Sequence, residues 1–222
     1  MKTAIFIDTA FLIQRLRQYL PQDEHYHAQK IAESAIHLAL KHTQYQSQMG
    51  DELYRIYFYD CPPINKKVHK PISRELLDLS KTKEAIFRNE LHQLLQRQPK
   101  TLLRLGELSV GADVWRLKTG IAKDLLWGKR QWYDLTDNEF VLDLHQKGVG
   151  IQMGADLMSL TLKKQIDKVV IISNDDEFTL VADTVRYEGV QLVLDSMHKT
   201  VHESVFGYID ELWTTFTPKK RY

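Results

Sequence analysis

Apolar positions along the chain fall into two patterns. Residues 4–7, 169–172 and 190–194 are short, wholly apolar runs, the pattern of strands buried on both faces as in a parallel sheet. Residues 53–59 are aromatic and β-branched and end at Asp60-Cys61-Pro62-Pro63, which predicts a strand with a hard stop. Between these runs apolar residues recur at helical spacing. Phe11, Leu12, Leu16 and Leu20 predict a helix that Pro21 ends. Residues 27–46 predict a second helix, buried through Ile31, Ala35 and Leu38. Residues 73–98 read as helical, and 102–108 as a strand. Residues 153–166 predict a helix with Leu157, Leu160 and Ile166 on its apolar side, and 178–187 a helix closed by Gly189. A short helix from Glu203 and a charged end, 218–222, complete the chain. From 111 to 140 the pattern breaks down, with Trp115, Trp127 and Trp132 set among Gly, Lys and Asp.

Strands alternating with helices predict an α/β fold with a central, mainly parallel sheet and right-handed crossovers. The 222 residues suit one domain over 1–222, with an insertion or extended loop region at about 111–140. Composition does not change this picture: the chain is 43% hydrophobic and 27% charged, ordinary values that supply enough apolar material for a core. A single cysteine, Cys61, excludes an intrachain disulfide and points to a reducing compartment. No apolar stretch is long enough to span a membrane, and the N-terminus lacks the pattern of a signal peptide, so a cytoplasmic location is expected. A formal net charge of +1 does not favour a purely electrostatic nucleic-acid binder.

In open parallel sheets ligands bind beyond the carboxyl ends of the strands, which directs attention to the residues just after each apolar run. Asp8 ends the first. Ser173-Asn174-Asp175-Asp176-Glu177 comes directly after the run at 169–172, and Asp156 lies in the preceding helix. If the two strands are neighbours, these carboxylates converge. Clustered carboxylates raise one another's pKa unless a cation joins them. All-oxygen ligands suit Mg²⁺ or Mn²⁺, and the chemistry that fits is hydrolysis of a phosphodiester. Each acid also has a plainer reading. Asp8 can cap the helix after it, Asp175, Asp176 and Glu177 precede another helix, with Asp176 expected to serve only as a cap, and Asp156 sits in a first turn.

Four segments also resemble one known family. Gln146-Lys147-Gly148-Val149-Gly150-Ile151-Gln152-Met153-Gly154-Ala155-Asp156-Leu157 resembles the pattern Q-K-G-V-D-x-x-x-x-x-D-[LI] of bacterial NYN-domain (LabA-like) proteins, a branch of the PIN-like nucleases. Ser173-Asn174-Asp175-Asp176-Glu177-Phe178 is similar to their S-G-D-S-D-F motif, Tyr57-Phe58-Tyr59-Asp60-Cys61-Pro62-Pro63 to their Y-Y-D-C-P-P strand end, and Ile7-Asp8-Thr9-Ala10-Phe11-Leu12 to their opening I-D-G-A-F-L. The resemblance implies a PIN-like three-layer sandwich, Mg²⁺ or Mn²⁺ as cofactor, and ribonuclease activity. Carried over by position, the catalytic and metal-ligating candidates are Asp8, Asp156, Asp175 and Glu177. The chain departs from the pattern at Thr9, Gly150, Asn174 and Glu177. Glu177 keeps a charge on a longer side chain, whereas Gly150 removes a carboxylate outright. The alternative is therefore a catalytically weak or inactive PIN-like module that binds RNA or a protein partner.

The partner implied is RNA, single-stranded by the chemistry of Trp127-Gly128-Lys129-Arg130-Gln131-Trp132-Tyr133, which interleaves stacking rings with cations. Trp127, Lys129, Arg130 and Trp132 are the candidates there, although the favoured reading of the tryptophans is that they pack the insertion onto the domain. Lys66 and Lys67 come after the Pro-Pro turn and are candidates for the phosphate backbone, as readily as for a solvated loop. Lys163, Lys164 and Lys168 read as cations closing a helix. The glycines at 148, 150 and 154 do not have dinucleotide-fingerprint spacing, and Asp8-Thr9-Ala10 lacks the second Asp of a haloacid-dehalogenase phosphatase. His198 and His202 have helical metal spacing but no third ligand, so they read as surface residues, and Cys61 reads as structural. A phosphatase acting on a small nucleotide is a third reading, and a homodimer is compatible with the sequence.

Overall fold

The computed structural model describes residues 1–44 and 51–216, without the side chains of 112 and 113. In chain order its elements are β1 (Lys2–Asp8), α1 (Thr9–Arg17), α2 (Ala28–Gln44), β2 (Glu52–Asp60), β3 (Lys67–His69), β4 (Leu76–Asp78), α3 (Lys83–Gln96), β5 (Thr101–Leu105), β6 (Glu107–Leu117), α4 (Ile121–Leu126), β7 (Phe140–Lys147), α5 (Val149–Leu162), β8 (Lys168–Ile172), α6 (Thr179–Tyr187), β9 (Gln191–Asp195) and β10 (Glu211–Leu212). Six strands form one sheet in the order β10-β9-β8-β1-β2-β5, with every neighbouring pair parallel. Two antiparallel ribbons, β3-β4 and β6-β7, stand apart from it.

The side-chain alternation of β1 splits the core in two. Ile5 and Ile7 face a cluster built from α1, α2 and α3, whereas Ala4 and Phe6 face one built from α5 and α6. Helices therefore cover both faces of the sheet, giving a three-layer α/β sandwich. This is why residues 4–7 and 169–172 are apolar without a break: Ala4 to Ile7 and Val169 to Ile172 are all fully buried.

The layering also places a crevice. From β1 the chain passes through α1 and α2 to β2 on one side, while β8 lies against the other side of β1 and leads through α6 to β9. Successive crossovers thus leave on opposite faces. The carboxyl ends of β1 and β8 flank the topological switch point, where open α/β sheets hold ligands.

Several sequence expectations are corrected. Residues 73–98 are not one helix: 76–78 pair with β3, and α3 begins only at Lys83, where the Thr82 hydroxyl accepts from Ala85 N. The helix expected at 153–166 begins four residues earlier, at Val149, because Gly148, in a left-handed conformation with φ 82°, caps it. Residues 111–140 are not irregular throughout but complete the β6-β7 ribbon, whose connection carries α4. Lys168 does not close a helix. It opens β8, buried, with its ammonium 2.8 Å from Asp51. Residues 45–46 of the second expected helix and the charged end at 218–222 lie outside the described residues.

No helix among the described residues is long and apolar enough to cross a membrane. His198 and His202 are exposed, as expected, and Cys61 is buried, its thiol pushed up to about 11, first by burial and then by the Asp60 charge.

Candidate functional site

Asp8 ends β1 and is also the N-cap of α1, its Oδ1 accepting from Phe11 N at 3.0 Å. The capping reading of this residue is therefore borne out, and the same side chain lines the crevice at the switch point. Burial raises its pKa above the ordinary 3.8. The backbone N–H groups of Phe11 and Ala10 work against this, and the Asp60 and Asp175 charges add to it.

The loop after β8 supplies the other acids. Ser173 Oγ accepts from Asp175 N at 3.0 Å, and Asp175 Oδ1 accepts from Glu177 N at 3.0 Å. Asp175, and not Asp176, is thus the side chain that shapes the turn into α6. Asp176 contributes its backbone carbonyl to Thr179 and leaves its carboxylate exposed. Asp8 and Asp175 line two adjoining cavities. One, of about 600 Å³, runs past Gln14, Asn174 and Asp176. The other, of about 170 Å³, is walled by Gln146, Gly148, Gly150 and Glu177.

Glu177 reaches its cavity through space that a side chain at 150 would fill. A Cβ built on Gly150 would stand 1.5 Å from Glu177 Oε2 and 2.8 Å from its carboxyl carbon. The missing side chain and the longer acid are therefore complementary in space: the Glu177 carboxylate occupies room that any side chain at 150 would need.

Asp156 is placed elsewhere. Arg104 of β5 donates to both of its oxygens, Nε at 2.8 Å and a terminal nitrogen at 2.9 Å, and the Tyr59 hydroxyl donates to it at 3.1 Å. It lies seven residues beyond the start of α5 and lines neither cavity. By contrast, Asp8, Asp175, Asp176 and Glu177 have no ion-pair partner among the described residues. As placed, no three acid, imidazole or thiol groups among the described residues could jointly hold one ion.

The sequence reading passed over Asp60, which ends β2 as Asp8 ends β1. Asp60 is buried and accepts from Arg88 at 2.7 Å, from His92 at 2.8 Å and from Cys61 N at 2.9 Å. Burial alone would raise its pKa, but the His92 hydrogen bond and the Arg88 charge hold it below the ordinary value. The strand-end signal at Asp60 was the same as at Asp8; the arginine and histidine that answer it come from α3, distant in sequence.

Of the basic and aromatic candidates, Lys66 and Lys67 are exposed at the β3-β4 ribbon and line neither carboxylate cavity. Trp115 does pack the insertion onto the domain, its Nε1 donating to His69 O at 2.7 Å. Trp127 and Trp132 do not: they are 58% and 70% exposed, and Tyr133, the last ring of the same stretch, is 85% exposed. The Lys123 and Lys129 ammoniums stand 4.2 and 4.7 Å from the Trp127 ring centre, and Arg130 reaches Glu139 at 3.3 Å. Trp132 and Tyr133 therefore offer the freer stacking faces.

No protein-family model matches the chain, and no curated protein matches it. Among solved structures it is similar to the crystal structure of a protein of unknown function from Vibrio parahaemolyticus, with 12% sequence identity and a TM-score of 0.44 over 95% of this chain and 90% of that one.

Proposed function

We propose that the chain is a metal-dependent ribonuclease that hydrolyses phosphodiester bonds in single-stranded RNA, with Mg²⁺ or Mn²⁺ as its cofactor. One observation carries the reading: Asp8, Asp175 and Glu177 share a cavity at the switch point with no cation of their own, while the chain neutralises the neighbouring Asp60 and Asp156 with arginines. Unneutralised carboxylates crowded at one mouth favour a bound cation. The donor set fits Mg²⁺ or Mn²⁺ in a particular way. There is no closed protein cage among the described residues, but Mg²⁺ usually keeps several waters and is held through one or two carboxylates plus substrate phosphate. When bound, such a cation supplies an activated water and offsets charge on the phosphorane-like transition state.

The chain's own residues orient and receive. Phe11 N fixes one oxygen of Asp8 and so orients the carboxylate at the cavity. Glu177 N fixes Asp175, and the cleft over Gly150 admits the Glu177 carboxylate. Trp132 and Tyr133 would stack unpaired bases, with Trp127, Lys129 and Arg130 beside them, and Lys66 and Lys67 would meet the phosphate backbone. Asp156 holds Arg104 and is assigned no ligand role.

The test is cleavage of an end-labelled, mixed-sequence single-stranded RNA with Mn²⁺, with Mg²⁺ and with EDTA, by the wild type, Asp8→Asn and Asp175→Asn. Cleavage that needs metal and disappears in both folded variants is expected; undiminished cleavage by both would overturn the assignment. A second reading, an RNA-binding module without catalysis, is favoured by the pairing of Asp156 with Arg104, which withholds that acid from the mouth. On that reading RNA affinity ignores Mg²⁺ and falls with salt and with loss of Lys129 or Arg130.

A further inference from the structure

Across Gln146 from the carboxylates, the end of β2 opens onto another cavity of about 530 Å³. That volume lies in the range of small-ligand sites, roughly 300–1,000 Å³. Its walls are mainly apolar. Leu108, Leu142 and Leu144 of the β6-β7 ribbon line it together with Ile64 and Leu79. Arg88 is part of its lining and is fixed in place: one terminal nitrogen donates to both oxygens of Asp60 at 2.7 Å, and Nε donates to Glu84 at 2.9 Å. Its other terminal nitrogen has no hydrogen bond among the described residues, and neither has the side-chain amide of Gln146. The cavity thus presents a mainly apolar lining, a pinned guanidinium donor and an uncommitted amide. Such a lining accepts a flat ring with an apolar face and a hydrogen-bonding edge.

Position decides which ring. Gln146 lines both this cavity and the one containing Asp8 and Glu177. β1 and β2 are adjacent strands, about 4.8 Å apart, with Asp8 opposite Tyr59. A ring in this cavity and a phosphate at Asp8 would thus lie on the two sides of Gln146, at the ends of neighbouring strands, the arrangement a single nucleotide needs. We infer that the cavity is a nucleobase site, and that Arg88 and Gln146 select bases presenting a ring carbonyl, uracil or guanine, over adenine, which has none. The placement of the phosphate rests on the ribonuclease reading; the ring site itself rests on the cavity.

The experiment is an NMR titration of the full chain, in EDTA, with UMP, GMP, AMP and ribose 5-phosphate. UMP and GMP are expected to shift the amides of Cys61, Leu79, Leu142 and Gln146. Ribose 5-phosphate should leave them in place, and AMP should bind about tenfold more weakly or worse, as expected for loss of a hydrogen bond to a charged donor. Leu144→Trp, at a partly exposed position, fills the cavity and should weaken UMP and GMP binding about tenfold; Leu142→Trp serves if that variant does not fold. The inference is overturned if UMP and GMP leave those amides unmoved, if AMP or ribose 5-phosphate binds as well, or if a folded tryptophan variant binds undiminished. Because EDTA removes any cation, the outcome is separate from cleavage. Base binding without metal-dependent cleavage removes the nuclease reading alone, and cleavage without base binding removes this inference alone.

Discussion

Gly150→Ala separates stability from function at the site. The new Cβ would sit 1.5 Å from Glu177 Oε2, whereas an ordinary C···O approach is about 3.3–3.6 Å. The carboxylate must therefore retreat by roughly 2 Å, several times the roughly 0.5 Å tolerance of a metal or catalytic constellation. The folded state bears little of the strain. The clashing atoms belong to the end of an exposed, flexible side chain, so the cost is that of a rotamer change, about 0.5–1.5 kcal/mol. Replacing glycine by alanine within α5 returns about 0.5–1 kcal/mol. These effects nearly cancel, and at about 2–4 °C per kcal/mol the melting temperature should move by no more than about 4 °C. Metal-dependent cleavage should nevertheless fall about 10- to 100-fold, as for other disturbances of ligand orientation. The assay is a cycle of wild type, Gly150→Ala, Glu177→Gln and the double variant, scored by thermal melting and by cleavage rate. If the glycine acts through Glu177, Gly150→Ala costs nothing further in the Glu177→Gln background. An undiminished rate in Gly150→Ala, or an equal loss in both backgrounds, refutes the reasoning.

Other substitutions probe the neighbouring residues. Asp8→Asn should abolish cleavage without lowering the melting temperature: asparagine caps a helix as well as aspartate, and the buried charge is removed. Asp60→Ala breaks a buried ion pair and should cost about 3–5 kcal/mol, read in denaturant unfolding. Because the folded pKa of Asp60 lies below its unfolded value near 3.8, its stabilisation is present above that value and is lost as pH falls through the lowered one; this part of the acid limb should be missing in Asp60→Asn. Asp156→Asn should lower stability through Arg104 yet leave cleavage within about threefold; a loss as large as that of Asp8→Asn would make it a ligand. Trp132→Ala and Tyr133→Ala should each weaken single-stranded RNA binding by about 1–3 kcal/mol in a fluorescence titration, with melting unchanged.

The sheet was the most legible part of the sequence. β1, β8 and β9 are buried on both faces, so burial writes itself as an unbroken apolar run that needs no partner to be recognised. The β6-β7 ribbon was not legible because it packs on the small β3-β4 ribbon and solvent, leaving residues such as Leu142 and Leu144 partly exposed and without clean alternation. The start of α5 was hidden by Gly148 and Gly150, whose helix-breaking tendency is overridden by a left-handed cap and by the need for space beside Glu177. For the candidate site, strand ends identified which acids to consider but not which of them the chain neutralises itself. Arg104 meets Asp156 across 52 residues and His92 meets Asp60 across 32, and local pattern carries neither pairing.

The most direct test of the central claim does not depend on guessing the right RNA. It is a Mn²⁺ titration of the metal-free protein, tracked by electron paramagnetic resonance of the free ion, for the wild type, Asp8→Asn and Glu177→Gln. Saturable binding of Mn²⁺ by the wild type, competed by Mg²⁺ and weakened about tenfold or more in both variants, is the predicted result. Affinity that is absent in the wild type, or unchanged in the folded variants, would contradict the account and leave the strand-end acids as helix caps and surface charge.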